Sequence, residues 1–68
     1  MTTKEAIEIV KAMKSTTVER RVTTARKFGP HTVEAYLPNP TSDQVRFRID
    51  GNLRTWKDAA FTVAIHSN

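Results

Sequence analysis

Two arginines alternate with apolar residues in Val45-Arg46-Phe47-Arg48-Ile49, and Arg54 and the single tryptophan, Trp56, follow closely. In a strand, period-two alternation places the Arg46 and Arg48 side chains on one face. Asp50-Gly51 reads as a tight hairpin turn, because both central positions of a type I′ turn need positive φ. The returning strand, Leu53 to Lys57, would bring Arg54 or Trp56 alongside the arginine pair. Guanidinium groups bind phosphates or read guanine edges through paired hydrogen bonds. Indole and phenol rings stack on bases or anchor a protein interface. The expected open sheet face carries Glu34, Tyr36, Arg46, Arg48, Arg54 and Trp56, with His66 at its margin. Such a ribbon can enter a DNA major groove. The competing reading is structural. A lone Trp in a small domain is more often core, and Arg48 stacked on Trp56 or paired with Glu34 would merely cover the sheet.

A second basic feature lies between Thr16 and Lys27, which holds four basic residues and one acid. If that segment is helical, Arg20, Thr24 and Lys27 share an outer stripe suited to phosphate contacts. A solvated helix face is the plainer and preferred reading of it. The whole chain carries a formal charge of +4, with an isoelectric point near 10.0. That balance favours acidic partners, nucleic acid first among them, although it also serves solubility.

Other chemistries are poorly provided for. There is no cysteine, so a disulfide scaffold, a thiolate metal site and a cysteine nucleophile are excluded. His31 and His66 stand far apart, and neither has a partner at ligand spacing. Asp43, Asp50 and Asp58 all fall at expected turns, where Asp bonds locally. Only two glycines exist, and no phosphate loop can be built from them. A non-enzymatic protein without cofactor or metal is expected.

These residues must be positioned by very little chain. With 68 residues a single domain spanning 1–68 is expected, and its core is small. Thr2 with Glu5 fits a capping box, and Ala6, Ile7, Val10 and Met13 recur at helical spacing. A helix is expected from about Lys4 to Lys14, interrupted at Ser15-Thr16-Thr17. Ile9 and Met13 could pair this helix with a second copy in a homodimer, but core burial is the preferred reading. From Thr16 to Phe28 the signals conflict. Val18, Val22, Ala25 and Phe28 form a helical stripe, Thr16 and Glu19 a second capping pattern, and Gly29-Pro30 a stop. The β-branched run favours strand. The balance leans to helix.

From His31 the period becomes two. Val33, Ala35 and Leu37 alternate with polar residues, residues 38–43 form a turn, and Val45 to Ile49 alternate again. Between Lys57 and Asn68, Thr55 with Asp58 could cap a helix. Alternation of Phe61, Val63 and Ile65 favours a final strand. The expected fold is α+β: one or two N-terminal helices on one face of a three- to four-stranded antiparallel meander. Val33, Ala35, Leu37, Val45, Phe47, Ile49, Leu53, Phe61, Val63 and Ile65 should face the helices.

In architecture, this layout resembles the three-stranded sheet of certain plant DNA-binding domains and of some phage integrase arm-binding domains. Two helices before an Arg-rich hairpin also look like a winged helix-turn-helix lacking its third helix. The run Gly51 to Lys57, with the alternating residues after it, is similar to the ends of short phage proteins, which implies a bacterial or viral cytosolic setting. No site residue transfers from any of these resemblances. Two functions follow as expectations. One is a module binding DNA or RNA through Arg46, Arg48, Arg54 and Trp56, assisted by Arg20 and Lys27. The other is an adaptor or inhibitor that binds a host or partner protein through Tyr36 and Trp56. No apolar run approaches membrane-spanning length, and Met1 to Lys14 lack the apolar core of a signal peptide. A cytoplasmic location without membrane contact is therefore expected.

Overall fold

A computed structural model describes residues 1–66. Helix α1 (Thr3–Arg20) is followed by strands β1 (Thr24–Phe28), β2 (His31–Tyr36), β3 (Arg46–Ile49) and β4 (Asn52–Arg54), then helix α2 (Trp56–His66). The strands form one antiparallel sheet in the order β1-β2-β3-β4. Both helices cover one face of it and pack on each other, lying chiefly over β1 to β3. The fold is thus the expected α+β arrangement of helix and antiparallel meander.

Helix α1 starts as its sequence dictates. The Thr2 hydroxyl accepts the Glu5 N–H at 3.2 Å, and the Glu5 carboxylate accepts the Thr2 N–H at 3.1 Å. Ala6, Val10 and Met13 are buried on one stripe, so Met13 belongs to the core; Ile9, partly buried, packs against it. The expected break at Ser15-Thr16-Thr17 does not occur, and the helix runs on to Arg20. Thr17 explains the difference. Fully buried, its hydroxyl donates to the Ala35 carbonyl at 3.2 Å and shares a hydrogen bond with the Thr24 hydroxyl at 2.9 Å. Tertiary contacts thereby outweigh the weak helix preference of a β-branched run.

Arg21 ends α1 in the left-handed region, at φ 52° and ψ 46°, where glycine or asparagine is usual. Its guanidinium donates to Asp43 Oδ1 at 3.0 Å, to the Pro40 carbonyl at 2.6 Å and to the Ser42 carbonyl at 2.9 Å. One side chain therefore ties the end of α1 to the loop joining β2 and β3.

The second half of the conflicted segment is strand, not helix. Thr24–Phe28 forms β1, and Gly29-Pro30 is a hairpin turn rather than a helix stop, because Phe28 pairs with His31. Gly29 supplies the positive φ of 60° that this turn needs. Consequently Arg20, Thr24 and Lys27 do not share a helical stripe. The expected hairpin at Asp50-Gly51 is present, and both residues have positive φ.

The chain's end is also corrected. Residues 56–66 form a helix, capped by Thr55, whose hydroxyl accepts the Asp58 N–H at 3.2 Å. Ala59, Ala60 and Val63 are buried at helical spacing, and alanine is the strongest helix former. Phe61 and Ile65, expected to be core, are 67% and 51% exposed. Ser67 and Asn68 lie outside the described residues.

Candidate nucleic-acid interface

The two-residue turn at Asp50-Gly51 sets the register: Ile49 faces Asn52, Arg48 faces Leu53, and Phe47 faces Arg54. Facing residues share a side of the sheet. Since Phe47 is buried under the helices, Arg54 projects to the helix side and Leu53 to the outer side. The sequence had suggested the reverse. Leu53 is accordingly 57% exposed. Trp56 also leaves the expected face: it opens α2, at 49% exposure.

The outer face retains Glu34, Tyr36, Arg46 and Arg48, with Lys27 on β1. Two of these residues engage Arg48. Its Nη2 donates to Glu34 Oε2 at 3.2 Å, and its guanidinium carbon lies 4.1 Å from the Tyr36 ring centroid. Its Nε is buried without a hydrogen-bond partner. Tyr36, rather than Trp56, is thus the ring that stacks on Arg48. This half of the face is a packed lid over the sheet.

Four cations gather elsewhere. A groove of about 760 Å³ opens between α1, the β3–β4 hairpin and the start of α2. Lys11 and Lys14 of α1, Arg46 of β3 and Arg54 of β4 line it, with Asp58 as its one acid. Val10, Val45, Phe47 and Trp56 supply its apolar surface, and Arg46 and Leu53 border it although their register sets both on the outer side of the sheet. The Lys57 ammonium stands 6.0 Å from the Trp56 ring centroid, so a further cation sits at the indole. The structure therefore brings Arg46, Arg54 and Trp56 to one place. Arg48 stays on the outer face, Arg20 at the end of α1 and Lys27 on β1. In the sequence Lys11 reads as a solvent-side residue able to pair with Glu8, and Lys14 as a helix-end cation, neither as a binding residue. Their spacing of three, on the solvent side of a legible amphipathic helix, was the available signal.

The histidines meet at the opposite end of the sheet. His31 Nδ1 lies 2.5 Å from Asp50 Oδ2, Asp50 Oδ1 accepts the Thr32 N–H at 3.0 Å, and the His66 ring packs edgewise on His31 at 4.7 Å. Hydrogen bonding from His31, then from the Thr32 amide, holds the Asp50 carboxyl below its ordinary value. Hydrogen bonds from Thr2 lower Glu5 in the same way. Among the described residues, no cluster of histidines and carboxylates could hold a metal ion, and no helix is long and apolar enough to cross a membrane.

Comparison with protein-family models, curated proteins and solved structures finds no match to this chain. The functional reading therefore rests on its own residues.

Proposed function

We propose that the protein is a small non-enzymatic module that binds nucleic acid, DNA or RNA, through the groove between α1 and the β3–β4 hairpin. The observation that carries this reading is the convergence of Lys11, Lys14, Arg46 and Arg54, from three separate elements, around an apolar surface containing Trp56. The cations neutralise phosphates and release counterions, which gives affinity without sequence preference. The aromatic and aliphatic surface adds contacts to bases.

The test is binding of labelled oligonucleotides at two salt concentrations, with charge reversal at Lys14 and Arg54. Binding that weakens with salt and with each reversal, in variants that keep their far-ultraviolet dichroism, supports the reading. Oligonucleotides that fail to bind at low salt refute it.

One observation favours the adaptor reading. Phe61 and Ile65, one helical turn apart, are largely exposed on α2, and such a pair can anchor a partner protein. Tyr36 contributes less to that reading, because Arg48 already covers its ring. A partner retained after nuclease treatment, and lost with Phe61→Ser, would favour this second function.

A further inference from the structure

Resting on the nucleic-acid reading, we propose that the groove takes a short single-stranded segment of DNA or RNA, with Trp56 as the platform on which a base stacks. The groove is concave, holds about 760 Å³ and is largely apolar within. In a duplex the base faces are already stacked on each other, and only phosphates and base edges face the protein. The groove's cations can meet those phosphates, but its apolar surface gains little from a duplex. A single strand offers unstacked bases, and their faces fit an indole that stands half-exposed at the groove. Lys11, Lys14, Arg46 and Arg54 against the lone Asp58 provide the charge complement of a polyanion.

The face that a duplex reader of this shape would use offers Arg46 and Lys27 but not its central arginine. On the outer side of the sheet Arg48 is held by Glu34 and Tyr36, and the exposed Leu53 stands beside it in register. A two-stranded ribbon entering a major groove needs free donors at those positions.

Trp56 is the only tryptophan, so its emission reports the groove directly. The test titrates the protein with ten-residue oligo-dT and oligo-U, a ten-pair duplex, and an acidic peptide containing phenylalanine. Quenching by the single strands is expected, with affinity at least about tenfold above the duplex. The log–log salt slope for four neutralised phosphates should be roughly −3. By anisotropy of a labelled strand, Trp56→Leu should weaken binding about tenfold with the slope unchanged. Lys14→Ala, a mild change on an exposed helix position, should make the slope shallower by roughly 0.7. A duplex that binds equally well overturns the single-strand proposal and leaves the nucleic-acid function standing. Failure of every oligonucleotide, whether or not the peptide binds, overturns both.

Discussion

The Arg48 guanidinium lies 4.1 Å from the centre of the Tyr36 ring while donating to Glu34 at 3.2 Å. This divides the arginines by task. Arg48 closes the outer face of the sheet, whereas Arg54, on the helix side, lines the groove and Arg46 borders it from the outer face. Arg48→Met keeps the stem but removes the charge, so it should cost about 1 kcal/mol of stability. Affinity for an oligonucleotide should stay within about twofold. Chemical denaturation and anisotropy on the same variant check both halves.

Lys14 and Arg54 should behave in the opposite way. Both are exposed, and neither has an ion-pair partner among the described residues. Lys14→Glu and Arg54→Glu should each leave the melting temperature within about 3 °C, as surface changes usually do. Each should weaken nucleic-acid binding severalfold and flatten its salt dependence. A thermal melt beside a salt titration separates the two effects.

Thr17 holds α1 to the sheet by two hydrogen bonds inside the core. Thr17→Val preserves shape and burial but leaves the Ala35 carbonyl without this donor. A loss of about 1–2 kcal/mol is expected, equivalent to a fall of roughly 4–16 °C in a domain of this size. Calorimetry measures it.

The Asp50 carboxyl is held below its ordinary value by His31 and the Thr32 amide. Folding therefore favours the ionised form. That stabilisation is fully present above the unfolded carboxyl's ordinary value of 3.8, and it disappears as pH falls through the lower folded value. Glu5 acts in the same direction. Melting temperature should fall as the solution is acidified below about pH 4. Asp50→Asn should reduce the fall while keeping the turn, since asparagine tolerates positive φ.

Much of this was legible in the chain. The capping box at Thr2 and Glu5, the Asp50-Gly51 turn and the alternation of β2 and β3 are local signals, and the structure obeys them. The errors have physical causes. Ala59, Ala60 and Val63 marked a helix, but Phe61 and Ile65 mimicked a strand because they are apolar and yet exposed. Thr16 and Thr17 looked like a break because the anchor for Thr17 lies in a strand distant in sequence. Arg54 was misplaced although its position could be counted: a two-residue turn pairs Phe47 with Arg54. An apolar Leu53 suggested the core instead. The groove itself was out of reach, since Lys11, Lys14 and Trp56 come to one groove only once both helices pack on the sheet and on each other.

The most direct test of the account is amide and indole chemical-shift mapping of the labelled protein with a short single-stranded oligonucleotide at low salt. We expect saturable shifts at Lys11, Lys14, Arg54 and the Trp56 indole, reversed by added salt, while Lys27 and Arg48 stay still. Shifts confined to the outer face around Arg48 and Tyr36, or no shifts at all, would contradict it.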